Sequence, residues 1–378
     1  MNREAIAAFI TKCLMKTFLF LPIKKVIVFE SVPDLSDNTK AVFDEMLKRG
    51  INKKYKLVWM VRSDVETKKI KNVKYVVPYK LWGLYYTACA KCFISCNEPY
   101  ETLRRGQNSY YISHGTAIKS VKNYYTLTDK IDYCLSASEK VAFLCEQELG
   151  VKKDKVFSLG FPRNDTLTSA NFDLKSLFID CIFEKIIVWY PTYRQHKNTA
   201  IKLNGNTLPI IHDAESARKL NEVAKENKVL IVLKPHFAQD LSYVKSESLS
   251  NIKFIDDKFF ADNNITSYEF VGSCDAMISD YSSIIYDYTL CDKPIAMVWE
   301  DYEEYKKWPG IAEGSDEFLT CGEKIYTLPE LEKFVVDIAN DVDNLKEERN
   351  KVCDLVNHSR DGRNSERVVD FIIGKSNL

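Results

Sequence analysis

The sequence lacks a net charge, a disulfide framework and a secretory leader. Lysine plus arginine and aspartate plus glutamate both number 53, so the basic excess of a nucleic-acid binder is missing and nucleic acid is not an expected partner. The 11 cysteines are odd in number and scattered along the chain. No apolar stretch at the beginning is followed by a small-residue cleavage site. These absences predict a protein of the reducing cytoplasm.

A long uninterrupted hydrophobic run is also missing. Lys12 and Lys16 interrupt the apolar stretch at 5–23, which argues against a membrane-spanning helix. Residues 1–24 instead predict one of two things. The first alternative is a helix that lies in the membrane interface, with its lysines toward anionic head groups on the inner face of the cell membrane. The second is a helix that packs on its own domain.

The chain length and the order of apolar runs predict two α/β domains. At about 150 residues per domain, 378 residues favour two, and a hydrophobic fraction of 46% is enough for two cores. Short β-branched or aromatic runs predict strands at 25–29, 55–61, 73–77, 92–95, 110–113, 133–135, 156–159, 185–190, 229–233, 252–255, 276–279 and 295–299. Helices are predicted at 37–49, 81–90, 138–149, 213–227, 282–290 and 329–356. This alternation is typical of parallel sheets with crossover helices.

The two groups of strands are separated by residues 160–172, which carry glycine, proline, asparagine and serine. We therefore expect one doubly wound, Rossmann-like domain over 1–165 and a second over 166–345, facing each other across a cleft. A last helix is expected at about 345–372, and the C-terminal segment 346–378 is expected to cross back to the first domain.

One polar cluster, Ser113-His114-Gly115-Thr116, follows a predicted strand of the first domain. The glycine permits a tight turn, and a histidine presented there can act as a general base near neutral pH. Lys119 follows closely. Because the tripeptide alone is a weak signal, a structural histidine with satisfied hydrogen bonds is the alternative.

Three polar clusters follow predicted strands of the second domain, where open α/β sheets bind ligands. Arg194, at the end of Tyr-Pro-Thr-Tyr-Arg, can bind phosphate oxygens in a forked geometry or form a surface ion pair. His236, in Lys-Pro-His, adds a potential cation or belongs to a surface turn. The cluster that begins at Ser279-Asp280 precedes a predicted helix at Ser282–Ser283, whose N-terminal amides favour phosphate and whose capping is compatible with that role.

The set of motifs and their order resemble the CDP-glycerol glycerophosphotransferase family, the teichoic-acid and capsule polymerase-like enzymes. The resemblance covers roughly residues 25–372 and is carried by SDNTKAVFDEML at 36–47, HGT at 114–116, GFPRND at 160–165, YPTYR at 190–194, KPH at 234–236, SDYSS at 279–283, DYEEYKKWPGI at 301–311 and DGRNSER at 361–367. It implies a GT-B fold with the acceptor side on the first domain and the nucleotide donor on the second.

The resemblance implies transfer of glycerol phosphate from CDP-glycerol to a hydroxyl of a growing envelope polymer, with release of CMP. The acceptor would be a lipid-linked or oligosaccharide polymer of the teichoic acid or capsule type. His114 is implied as the general base, and His236 is predicted to share the catalytic work and to bind the donor. The other predicted donor-binding residues are Gly115, Thr116, Arg194, Ser279, Asp280, Ser282, Ser283 and Asp287. Asp280 and Asp287 are predicted to orient donor hydroxyls or the histidine.

Two departures from the family pattern concern the acceptor side. Ser113 stands where the family usually has tryptophan, and the segment after Lys119 lacks a glycine. These departures leave the identity of the acceptor open. Independently of them, the donor can be CDP-glycerol, CDP-ribitol or another CDP-polyol. A GT-B glycosyltransferase that uses a nucleotide sugar and a non-catalytic scaffold of an envelope-polymer complex are the competing interpretations.

Metal chemistry is not expected. No Asp-x-Asp pair follows one of these strands, and arginine, histidine and a helix N-terminus can neutralise phosphate charge, so we predict catalysis without a metal or other cofactor. The spacing Cys89-x-x-Cys92-x-x-x-Cys96 invites a zinc or iron–sulfur interpretation. Because no second Cys/His pair lies nearby in the sequence, core packing of small thiols is the preferred reading.

Overall fold

A computed structural model of the chain describes residues 13, 15–62, 67, 69–123, 125–127, 130–192, 208–235 and 241–378. The chain divides into two compact units. The first contains 1–116, 124–165 and 361–378, and the second contains 117–123 and 166–360. The C-terminal segment expected to be one helix thus contributes 346–360 to the second unit and 361–378 to the first.

The first unit contains a seven-stranded sheet whose order along the sheet is β3-β2-β1-β4-β5-β6-β7. All neighbouring strands are parallel. The strands are β1 (Val26–Glu30), β2 (Lys56–Met60), β3 (Val73–Val76), β4 (Cys92–Ser95), β5 (Asn108–Tyr111), β6 (Tyr133–Ser136) and β7 (Val156–Ser158). The helices between them are α1 (Asp37–Lys48), α2 (Leu81–Cys89) and α3 (Phe143–Leu149). The strand order of this sheet reverses direction between β1 and β4.

The second unit contains a six-stranded parallel sheet of order β10-β9-β8-β11-β12-β13. The strands are β8 (Lys185–Trp189), β9 (Val229–Leu233), β10 (Ile252–Phe254), β11 (Ala276–Ser279), β12 (Ile295–Val298) and β13 (Glu323–Ile325). The helices are α4 (Ala214–Glu226), α5 (Ser242–Lys245), α6 (Asp257–Asp262), α7 (Ser267–Ser273), α8 (Ile284–Tyr288), α9 (Tyr302–Lys307), α10 (Leu328–Ala339) and α11 (Lys346–Val356). This strand order is that of the Rossmann fold, and it reverses between β8 and β11.

The predicted parallel α/β architecture is confirmed in both units. The central strands are covered on both faces, so they read as continuous apolar runs, such as the fully buried VLIVL of β9. Such runs locate strands well from sequence alone. The short strand β13, with the sequence EKI, was not predicted because only its last residue is buried.

The predicted single helix over 329–356 is wrong. Helix α10 ends at Ala339 and α11 begins at Lys346. Asp341 between them has φ of 56°, a left-handed conformation that no continuous α-helix contains. The helix predicted at 345–372 is divided in the same way, because the glycine turn at Gly362 (φ 66°) separates α11 from α12 (Asn364–Ser376).

The last helix, α12, completes the core of the first unit. The ring of Phe371 stacks on Phe157 of β7 at 4.2 Å between centroids and meets the ring of Tyr133 of β6 edge-on. The buried hydroxyl groups of Tyr110 and Ser376 lie 2.7 Å apart. The far end of the chain is therefore part of the first hydrophobic core.

Candidate active site

The polar cluster of the second unit lies at the point where its sheet reverses direction. Tyr190-Pro191-Thr192 follows β8 and Asp280 follows β11, and these two strands are neighbours. The Ser279 hydroxyl donates to the carbonyl oxygen of Tyr190 at 2.6 Å. The carboxyl ends of strands at such a reversal are where open α/β sheets bind ligands.

Asp280 joins the two turns. Its carboxylate accepts hydrogen bonds from the Thr192 amide at 3.0 Å, from the Thr192 hydroxyl, and from the Tyr281 amide at 2.7 Å. The side chain is 1% exposed, so these donors take the place of water around a buried charge. In this structure Asp280 fixes the loop geometry after β8 and β11.

The helix after this cluster is shorter than predicted. It begins at Ile284, with Ser283 as its N-cap residue, and runs for five residues before a 3₁₀ turn at Thr289–Cys291. Ser282 and Ser283 are half-buried. Asp287 is 1% exposed, and its Oδ2 accepts a hydrogen bond of 2.7 Å from the Tyr268 hydroxyl.

The two predicted phosphate cations of this unit, Arg194 and His236, lie outside the described residues. The residues that lead to them are placed. Thr192 is held by Asp280, and the amide of Lys234 donates to the carbonyl of Trp189 at 3.0 Å. The Lys234 ammonium pairs with Asp257 at 3.0 Å. Both leading segments are thus at the carboxyl ends of neighbouring strands, β8 and β9.

In the first unit, His114 lies on an exposed turn after β5. Its ring nitrogen Nδ1 is 3.2 Å from the carbonyl oxygen of Cys96, which follows β4. Since a carbonyl can only accept, this contact places a proton on Nδ1, and in the neutral imidazole Nε2 then carries the lone pair. The neighbouring residues form a tight turn, with φ of 45° at Ser113 and 148° at Gly115 and with the Ser113 hydroxyl donating to the Gly115 carbonyl at 3.1 Å.

Two further family motifs hold the turn that carries His114. Asn38, at the start of α1, is fully buried, and its Nδ2 donates to the Ser113 carbonyl at 2.8 Å. Its Oδ1 accepts from the Arg163 amide at 3.0 Å, while the Arg163 guanidinium pairs with Asp37 at 2.8 Å. The motifs at 36–38 and 160–165 therefore act on the histidine turn through Asn38.

The motif DGRNSER is a structural partner of GFPRND. The Asp165 carboxylate accepts the amides of Asn364 and Ser365, each at 2.7 Å, at the start of α12. Burial nevertheless raises the pKa of Asp165 above its ordinary value. A Cβ on Gly160 would lie 2.2 Å from Asn364 Oδ1, so only glycine permits this close approach.

Sequence reasoning missed Glu30, which ends β1 at the reversal point of the first sheet. It is completely buried, pairs with Arg62 at 3.2 Å, and accepts the Glu98 amide at 3.1 Å. Burial raises its pKa to about 7, although the charge of Arg62 opposes the shift. Glu30 thereby supports the turn after β4 whose Cys96 carbonyl receives His114. Its signal in the sequence is a carboxylate at the end of the apolar run VIVFE.

The cysteine spacing belongs to the core, as predicted. Cys89, Cys92 and Cys96 are buried free thiols, and burial raises the pKa of Cys92 to about 12. Across the described ranges, no group of three or more His, Cys, Asp or Glu side chains is placed to hold a metal ion. Metal-independent catalysis stays a prediction.

Two parallel α/β units with polar turns at their carboxyl edges are the architecture of the GT-B fold. A structure of the wall teichoic acid polymerase TagF superposes with a TM-score of 0.73 at 18% identity, covering 99% of this chain and 96% of that one. The family described as CDP-glycerol:poly(glycerophosphate) glycerophosphotransferase matches residues 13–374, so the chain belongs to that family and is an enzyme of its class. The resemblance inferred from the motifs is confirmed.

Curated relatives carry related names. A teichoic acid poly(glycerol phosphate) polymerase of Bacillus spizizenii is 24% identical over 386 residues, which cover 93% of this chain and 92% of the relative. A teichoic acid ribitol-phosphate polymerase of Staphylococcus aureus is 24% identical over 399 residues, covering 97% of this chain and 66% of the relative.

Proposed function

We propose that this chain transfers glycerol phosphate from CDP-glycerol to a hydroxyl of a growing teichoic acid polymer. The acceptor oxygen attacks the β-phosphorus, the bond from that phosphorus to the bridging oxygen breaks, and CMP leaves with the bridging oxygen. The product is a phosphodiester. Such transfers pass through a loose transition state, so positioning and charge neutralisation supply most of the rate enhancement.

The proton of the acceptor hydroxyl goes to His114 in this proposal. The supporting observation is the contact between its Nδ1 and the Cys96 carbonyl, which leaves Nε2 as the nitrogen able to accept a proton. The buried network from Asn38 to the Ser113 carbonyl keeps the turn in place. A base held by a rigid turn loses little entropy when the acceptor binds.

The donor diphosphate is proposed to lie at the carboxyl ends of β8, β9 and β11. Arg194 and His236 supply positive charge, and Ser282 and Ser283 supply donors beside Asp280. Ser279 and Asp280 hold the turns after β8 and β11. The buried Asp287 of α8 accepts the Tyr268 hydroxyl and is proposed to orient donor hydroxyls or the histidine. Gly115 and Thr116 are retained as proposed donor contacts. No metal ion is proposed.

A donor panel tests this function. CDP-glycerol with a lipid-linked or oligosaccharide acceptor is expected to give CMP and a product heavier by one or more glycerol phosphate units. Replacing Arg194 or His236 with alanine is expected to weaken CDP-glycerol binding about tenfold or more, because each removes a charge-assisted contact to phosphate. Isothermal titration calorimetry measures the affinity.

The matched controls are Arg218→Ala and His358→Ala. Arg218 forms a surface ion pair with Glu247, and His358 is exposed outside every motif. Unchanged affinity in both Arg194→Ala and His236→Ala would remove the phosphate assignment. CMP release from CDP-ribitol alone would move the donor to that polyol. UDP or GDP release from a sugar nucleotide would favour a glycosyltransferase, and no nucleotide binding at all would favour a scaffold.

We further propose that the first unit touches a membrane surface, which would bring it to a lipid-linked acceptor. Among the described residues no helix has the length and apolar character needed to cross a bilayer. Phe20 is 91% exposed and Trp82, in α2, is 61% exposed. The Tyr85 ring lies 5.8 Å from the ring of Phe18 and 5.7 Å from that of Trp82, and the Lys24 ammonium lies 5.1 Å from the Tyr85 ring centroid. Exposed aromatics beside lysines suit an anionic lipid interface.

Vesicle co-sedimentation tests the membrane surface. The wild-type protein is expected to sediment with vesicles that contain anionic lipid, and less so at high salt, because salt screens the lysines. Phe20→Ser and Trp82→Ser should each reduce the bound fraction. Tyr326→Ser, at a 45% exposed aromatic of the second unit, should not. Equal sedimentation of all three variants would refute this surface.

A further inference from the structure

Residues 118–120 belong to the second unit and pair with residues 310–312 of the same unit. The Ser120 amide donates to the Gly310 carbonyl and the Ala312 amide donates to the Ile118 carbonyl, both at 2.8 Å. Lys119 pairs with Ile311 in an antiparallel bridge. These hydrogen bonds fix the backbone of Lys119, and therefore the position from which its side chain extends.

The segment that receives Lys119 is packed next to Asp280. The Gly310 amide donates to the Tyr305 carbonyl at 2.9 Å, and the Tyr305 ring stacks on Tyr281 at 3.5 Å between centroids. The Tyr281 hydroxyl donates to Asp301 at 2.9 Å. Since Tyr281 follows Asp280 directly, this packing carries Lys119 toward the carboxyl ends of β8 and β11.

The Lys119 side chain is half-buried, so water only partly surrounds its charge. Burial lowers its pKa from the ordinary lysine value, and the charge of Asp280 opposes that shift. Asp280 is close enough to act on it electrostatically, but within the part of the chain that the structure describes no carboxylate lies within ion-pair distance of Lys119. A buried charge is costly unless a partner of opposite sign compensates it.

We propose that Lys119 is a further donor-binding residue, whose ammonium binds the diphosphate of the nucleotide at the carboxyl ends of β8 and β11. This inference rests on the proposed function for the identity of the donor. An incoming diphosphate supplies the missing negative charge, and lysine provides three N–H donors on a flexible stem. Asp280 limits the net positive charge of the site before the donor arrives.

The test compares the affinities of CDP and cytidine in Lys119→Met, which keeps the apolar stem and removes the charge. CDP affinity is expected to fall about 10- to 100-fold, the range of one charge-assisted hydrogen bond, while cytidine affinity stays unchanged. Lys119→Arg should recover part of the CDP affinity. Lys122→Met, at an exposed lysine of the same segment, is the matched control and should leave CDP affinity unchanged.

Two results would overturn the inference. One is a CDP affinity in Lys119→Met equal to that of Lys122→Met. The other is an equal loss for CDP and cytidine, which would indicate a disturbed fold of the segment. If the wild-type protein binds UDP and not CDP, the proposed donor is wrong, and the same pair of variants measured with UDP against uridine still decides the role of Lys119.

Discussion

His114→Ala is expected to lower the rate of CMP release about 10²–10⁴-fold, the usual contribution of a positioned general base, while CDP-glycerol affinity stays unchanged. The more informative variant is His114→Asn. An asparagine amide can still donate to the Cys96 carbonyl, as Nδ1 of the histidine does, but it cannot accept the proton that Nε2 would take. We expect the same loss of turnover in both variants.

Steady-state CMP release and calorimetric donor affinity measure the two effects separately. His358→Ala, an exposed histidine outside the motifs, should behave as wild type. Normal turnover in His114→Asn would show that the histidine holds the turn and is not the base. A parallel fall of turnover and donor affinity would instead assign His114 to binding.

The second large effect is expected for Asp280→Ala. The substitution removes the acceptor of the Thr192 amide, the Thr192 hydroxyl and the Tyr281 amide at a buried position. Leaving such donors unsatisfied should lower the free energy of unfolding by roughly 2–4 kcal/mol. Nucleotide affinity should fall about tenfold or more, because the loops after β8 and β11 lose their common anchor.

Urea unfolding and titration with CDP measure these changes. The control is Asp275→Ala at the opposite end of β11, where the carboxylate accepts the Ile186 amide at 2.8 Å. That variant should lose stability and keep its CDP affinity. If Asp280→Ala also kept its CDP affinity, Asp280 would be a structural residue only.

The sheets were largely predictable because their strands are buried on both faces. The runs at 92–95, 229–233 and 276–279 coincide with β4, β9 and β11. The turns that carry His114 and Asp280 were located by the same reasoning, since polar residues directly after such runs stand at a sheet edge. Short helices such as α7, with the sequence SYEFVGS, were missed because one or two turns give too few repeats of an apolar face.

The supporting contacts of the candidate site could not be predicted from the sequence. Asn38 and Arg163 meet across 125 positions, and Thr192 and Asp280 across 88. Tertiary packing decides which of these distant residues meet, and the local pattern of residues in the sequence carries no information about it. The pKa of Glu30 likewise depends on burial at the reversal of the sheet. The sequence motifs marked these segments, but only the contacts in the structure show that Asn38 and Arg163 hold the turn of His114, whereas Asp280 joins the turns after β8 and β11.

Helix α12 makes the first unit discontinuous in sequence. Its residues Val368, Val369 and Ile372 are fully buried. The Asn364 amide at its start donates to the Asp165 carboxylate, although almost two hundred positions separate these residues in the sequence. A recombinant fragment that stopped at residue 165 would contain all seven strands and still present the bare rings of Phe157 and Tyr133 to water. Such a fragment should aggregate, and adding Asp361–Leu378 through a flexible linker should rescue it. To obtain the first unit as a separate folded fragment, residues 361–378 must therefore be joined to the fragment that ends at 165, because cutting the chain at one place separates α12 from the core into which it packs.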